Sequence, residues 1–139
     1  MQAIKNIKTV FFSPTGNTKR VVEQLAEKLV QKLNVPIEKD DFTLPAAHTE
    51  TRIYLPEDLV IFGVPTYAGR IPNKVLPFVQ ELFKGTQTPA VAVVTFGNRS
   101  FDNSLSELDA ELKKNNFSIL GAGAVVCKHA FAEVGIGRP

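Results

Sequence analysis

The chain carries one cysteine, Cys127, in 139 residues, so no disulfide can form within it. A lone thiol fits a reducing, cytoplasmic setting. Long apolar runs are missing as well: nothing approaches the roughly 20 residues a helix needs to cross a bilayer. The opening residues, Met1-Gln2-Ala3-Ile4-Lys5-Asn6, lack the apolar segment of a signal peptide. Charge of one sign is scarce. The formal balance is only +2 and no dense Lys/Arg block occurs, which argues against nucleic acid as a partner. His48 and His129 lie too far apart in sequence to suggest a metal pair. No Ser-His-Asp or Cys-His set stands at a recognisable spacing. What remains is ordinary for a globular protein, with 44% hydrophobic and 22% charged residues. The length suits a single domain, 1–139, with a real core.

What is present is an alternation. Ile4–Phe12 reads as a mostly buried strand, and Val22, Leu25, Ala26, Leu29 and Leu33 recur at helical spacing over Asn17–Leu33. Val35–Phe42 is the second expected strand, with Val35 and Ile37 on one face, and residues 43–57 read as mostly loop. "LVIFGV" at Leu59–Val64 has the unbroken apolar character of a strand covered on both faces. A helix is expected over about Lys74–Lys84, with Pro77 tolerated in its first turn. Ala90–Phe96 gives the fourth strand. Ser104 and Glu107 have the spacing of a capping box for a helix with Leu105, Leu108 and Leu112 inward. Phe117–Cys127 holds the fifth strand, in which "GAGAVV" reads as crowded against a helix. Cys127 itself reads as a small buried hydrophobe.

Strands alternating with helices predict a parallel, doubly wound α/β sheet. Such sheets bind ligands beyond the carboxyl ends of their strands. The loops there are the unusual ones: "SPTGNT", "PTYAGR" and "GNRSFDN". The first sits between a strand and a helix N-terminus, where free N–H groups and the helix dipole favour a phosphate. Ser13, Thr15, Asn17 and Thr18 supply neutral donors, and Gly16 lets the backbone come close. An ordinary cap by Asn17 or Thr18 explains the same residues. The loop is neither a GxxxxGK[ST] nor a GxGxxG motif. Tyr67 in the second loop suits stacking on a flat ring or plain surface packing. Phe101 in the third suits a ring contact or the apolar face of the next helix, with Asn98 and Asp102 as polar edges. Arg70 and Arg99 suit a ligand contact or an ordinary ion pair. Together one phosphate cradle and two aromatic-bearing loops fit a phosphorylated planar cofactor.

"SPTGNT" resembles the phosphate loop of flavodoxins. "DLVIFGVPTYAGRIPNK" and "FGNRSFDNSLSEL" are similar to the flavodoxin domain of bacterial proteins that fuse it to a ferredoxin-type iron–sulfur domain. The resemblance runs from Val10 to the final "GIGRP". It implies a flavodoxin-like five-stranded sheet of order 2-1-3-4-5 and an FMN cofactor. By the resemblance, Ser13, Thr15, Gly16, Asn17 and Thr18 bind the FMN phosphate. Pro65, Thr66, Tyr67, Ala68, Gly69 and Arg70 flank the ring, and Gly97, Asn98, Arg99, Phe101 and Asp102 close its other side. In flavodoxins a peptide bond of the second loop commonly turns over on reduction to the semiquinone. The matching bond here is Ala68–Gly69.

The implied function is electron transfer rather than conversion of a substrate, with redox proteins or a fused iron–sulfur domain as partners. A small FMN-dependent NAD(P)H or quinone reductase and a binding module without FMN are the alternatives. A phosphoacceptor receiver domain is disfavoured, because Phe12-Ser13 and Val64-Pro65 stand where it needs acidic residues. Free flavodoxins are usually acidic, whereas the isoelectric point here is near 8.7, so an internal or acidic partner is expected. No helix is expected after the fifth strand. Either the chain is a fragment of a longer protein or another surface, a second copy in a homodimer included, covers that face.

Overall fold

The computed structural model describes residues 3–97 and 102–127. In chain order the elements are β1 (Asn6–Phe11), α1 (Asn17–Leu33), β2 (Ile37–Asp41), β3 (Arg52–Ile53), β4 (Asp58–Pro65), α2 (Leu76–Leu82), β5 (Phe83–Lys84), β6 (Thr88–Phe96), α3 (Ser104–Lys114) and β7 (Phe117–Val126). Five strands make one parallel sheet in the order β2-β1-β4-β6-β7. With β3 and β5 set aside, this is the expected 2-1-3-4-5 order. The chain leaves β1 toward one edge and returns through β4 toward the other. The topological switch point is therefore at the carboxyl ends of β1 and β4.

The sheet separates two cores, and β4 supplies both because side chains alternate along a strand. Val60, Phe62 and Val64 pack with Val79 of α2 and Leu108 and Leu112 of α3. Leu59 and Ile61 pack with Val22 and Ala26 of α1. Seven of the eight residues of β4 are buried, which accounts for its apolar run Leu59–Val64. Helix α1 lies hard against this strand. A Cβ at Gly63 would sit 2.5 Å from Val22 Cγ2 and 2.9 Å from Thr18 Cγ2.

The minor sheet is a departure from expectation. Residues 43–57 contain a 3₁₀ turn, Pro45–Ala47, and strand β3. The expected helix over Lys74–Lys84 is shorter, with Pro77 in its first turn, and its last two residues form β5 beside β3. Side chains, not periodicity, fix this region. Arg52 donates to Asp40 through Nε at 2.9 Å and Nη2 at 3.1 Å, and its guanidinium lies 5.0 Å from the Phe83 ring centre. Tyr54 also donates to Asp40, at 3.1 Å. Burial, reinforced by Asp40, pushes the Tyr54 hydroxyl well above its ordinary pKa. His48 bonds the Phe42 carbonyl through Nε2 at 2.7 Å and stacks on Phe78.

Two other readings are corrected at the edges of the main sheet. Ile37 is 42% exposed on edge strand β2, while Val35 packs beside α1 just before that strand. Among the described residues the "GAGAVV" stretch is not crowded where its glycines point: a Cβ on Gly121 or Gly123 would meet none of them within 4 Å. Cys127 is buried as expected. Burial pushes its thiol pKa up, with Arg20 pulling the other way. Residues 128–139, where no final helix was expected, lie outside the described residues, as does His129. No helix among the described residues is long and apolar enough to cross a membrane.

Candidate functional site

The first rim loop is a tight curl braced from outside. The Ser13 N–H donates to Thr43 Oγ1 at 2.8 Å, and the Thr43 N–H is held by Asp41 Oδ1 at 2.9 Å. Ser13 Oγ accepts from the Lys19 N–H at 2.9 Å. The cap of α1 is Gly16, left-handed at φ 88° and without a side-chain cap bond. The simple cap by Asn17 or Thr18 is thus not formed. Asn17 Oδ1 accepts from Arg20 Nη2 at 3.0 Å. Thr18 is buried, and its hydroxyl pairs with that of Thr95 at 2.8 Å. The N–H groups of Thr15, Asn17 and Thr18 have no partner among the described residues. The first turn of α1 contains no acid and instead holds Lys19 and Arg20. Cations at the positive end of a helix are unfavourable unless an anion offsets them. The donor set and the charge therefore both suit a phosphate.

Thr95, at the end of β6, joins the first loop to the second. Its hydroxyl holds Thr18, and its carbonyl accepts from the Thr66 N–H at 2.8 Å. Beyond Pro65, the last residue of β4, the chain makes a turn closed at both ends. The Tyr67 N–H donates to the Arg70 carbonyl at 2.9 Å and the Arg70 N–H to the Tyr67 carbonyl at 3.1 Å. Ala68 and Gly69 both have positive φ, 53° and 80°, the backbone of a type I′ turn. Gly69 is required twice over. Its φ suits glycine, and a Cβ there would lie 2.5 Å from Asp102 Oδ2. Tyr67 is 51% exposed at the tip.

The second loop is moored to the start of α3. The Gly69 carbonyl accepts from the Asn103 N–H at 2.9 Å. Thr66 and Ser104 pair through their hydroxyls at 2.8 Å. Glu107 takes the Ile71 N–H on Oε1 at 3.0 Å and the Arg70 guanidinium on Oε2. The expected capping box is therefore absent: α3 has no side-chain cap bond, because Ser104 and Glu107 face the neighbouring loop. Burial pushes the Glu107 carboxyl pKa up, but the bonds from Arg70 and Ile71 outweigh it and hold it below its ordinary value. Of the third loop, Gly97 is exposed and Asp102 lies against Gly69. Asn98, Arg99 and Phe101 lie outside the described residues.

The structure thus brings Ser13, Thr15, Gly16, Asn17 and Thr18 into one curl and joins Pro65–Arg70 to Asp102. Sequence reading missed the supports: Asp41, Thr43, Arg20 and Thr95. Thr95 carried a faint signal, as the hydroxyl that ends an apolar strand. A hollow of about 820 Å³ lies at the opposite end of the sheet, near Pro56, Pro89, Lys113 and Phe117, and gathers no comparable donor set.

The flavodoxin family model matches residues 10–133, which takes in all three loops. The chain belongs to the flavodoxin family. Its fold resembles that of a flavodoxin from the domain Archaea, at 14% identity and TM-score 0.62, over 93% of this chain and 90% of that one. It also resembles a putative flavoprotein from Bacteroides uniformis ATCC 8492, at 14% identity and TM-score 0.56, over 99% and 100% of the two chains. No curated protein matches. At such identities the solved structures speak for the fold, while family membership points to a flavin as the cofactor of this flavodoxin.

Proposed function

We propose that this flavodoxin binds FMN and transfers electrons. The observation that carries the reading is the first loop. Three backbone N–H groups without a partner among the described residues stand at the start of α1 with two cations, and its first turn holds no acid. That set fits a phosphate monoester, the end of FMN that a non-phosphorylated flavin lacks. FMN, when bound, accepts and releases single electrons.

The chain's own residues then have distinct tasks. Thr15, Asn17 and Thr18 offer backbone donors, and Thr15 is itself exposed on the same curl. Arg20 orients the Asn17 amide. Tyr67 presents an exposed ring from the second loop. The Ala68 carbonyl has no partner among the described residues, whereas the Gly69 carbonyl is held by Asn103. The Ala68–Gly69 peptide could therefore turn over without breaking a hydrogen bond of the described residues, while its flank is held. An electron-donating or electron-accepting protein completes the function. A ferredoxin-type iron–sulfur domain, fused or separate, fits the narrower sequence resemblance, and the basic balance favours an acidic surface on the partner.

Purified protein titrated with FMN should develop the spectrum of bound flavin with one equivalent, and riboflavin should bind far more weakly. Equal affinity for the two would remove the phosphate role of "SPTGNT". Bleaching of the bound flavin by NADH or NADPH alone would turn the reading to a reductase.

A further inference from the structure

We propose that Glu107 is the positioning residue of the second rim loop, fixing the Tyr67–Arg70 turn where a flavin ring edge meets it and thereby setting flavin affinity and potential. The proposal rests on the cofactor reading above.

Three residues at the start of α3 bracket the loop. Ser104 holds Thr66 at its start, the Asn103 N–H holds Gly69 in its middle, and Glu107 holds Arg70 and Ile71 at its end. Glu107 supplies the charged bond. Its side chain is 15% exposed against 63% for Arg70, so the carboxylate is the fixed inner partner and the guanidinium is recruited to it. Both of its oxygens are used, one by a backbone N–H and one by a cation. Charge-assisted bonds of this kind are about twice as strong as neutral ones.

The turn needs such a hold. Ala68 sits at φ 53°, a left-handed conformation that is unfavourable for a residue with a Cβ. Such strain persists where the surroundings over-determine it. An acid at this place in α3 would ordinarily serve its own helix. Here α3 has no side-chain cap bond, and the carboxylate crosses to a loop 36 residues away in sequence. With Glu107 removed, Arg70 loses its anchor, the Ile71 N–H loses its acceptor, and the turn is free to relax around Ala68.

The experiment compares Glu107→Ala and Glu107→Gln with wild type by FMN titration and by the first one-electron potential of the bound flavin. Glu107→Ala should weaken FMN binding roughly tenfold and shift the potential. Glu107→Gln keeps an acceptor for the Ile71 N–H and should fall between. Glu107→Ala with wild-type affinity and potential would overturn the proposal, whatever its stability. Should that variant fail to fold, Arg70→Met removes the cation alone from an exposed position, and an unchanged potential there is equally fatal. Wild type that binds no FMN would overturn the cofactor reading together with this proposal. Wild type that binds FMN, with variants that match it, would overturn this proposal only.

Discussion

Thr15 and Thr18 stand on the same curl but face different ways. Thr15 is exposed and makes no hydrogen bond among the described residues, while Thr18 is buried against Thr95. Thr15→Ala should weaken FMN binding roughly tenfold and leave urea unfolding of the apoprotein unchanged. Thr18→Ala strands the Thr95 hydroxyl in the core and should cost about 1–3 kcal/mol of stability as well. A similar stability loss in both would return the loop to a mere helix start. Gly69 raises a second residue-scale question. Gly69→Ala should lower the first one-electron potential of bound FMN, with roughly 60 mV for each tenfold change in the underlying equilibrium. Its Cβ would also strike Asp102. The change is therefore best measured again in an Asp102→Ala background. A potential that falls there too assigns the effect to the backbone; one that stays at the Asp102→Ala value assigns it to the collision.

At the scale of elements, the packing of α1 on β4 governs where the first loop stands. Gly63→Ala should strike Val22 and Thr18, push α1 off β4 and cost about 1–3 kcal/mol by overpacking, read as a lower urea midpoint with an unchanged slope. An unchanged midpoint would mean the helix is freer to move than the contact distances suggest. The same scale shows what the sequence could and could not reveal. β4 was legible because six of its buried residues, Leu59–Val64, leave one unbroken apolar word. α1 was legible from its period, and the three rim loops from their place after strands. The minor sheet was not, because β3 and β5 are two residues each and owe their position to Arg52, Asp40 and Phe83. Ser104 and Glu107 show the limit most plainly. Their spacing fitted a cap, but nothing local says that a side chain will prefer a loop 36 residues away to its own helix. Thr43 and Thr95 went unread for the same reason: each works on a segment remote in sequence.

For the whole molecule, FMN at a hundred times its dissociation constant should add about 2.7 kcal/mol to stability, a rise of several degrees in melting temperature for a domain of this size. Raised salt should shrink that rise if cations beside the phosphate contribute, as Lys19 and Arg20 are placed to do. No rise with FMN would count against the site.

The mooring of the second loop to α3 also bears on the order of folding. Thr66 meets Ser104 across 38 residues and Ile71 meets Glu107 across 36. Contacts that close so long a stretch of chain gain little until other elements have closed it, and are expected to form after β4, β6 and α3 have docked. That order predicts a rim assembled on a finished scaffold, without flavin in the folding nucleus. Glu107→Ala should accordingly leave the refolding rate of the apoprotein close to wild type and place its loss of stability in faster unfolding, a partition that the two arms of a chevron plot would show directly.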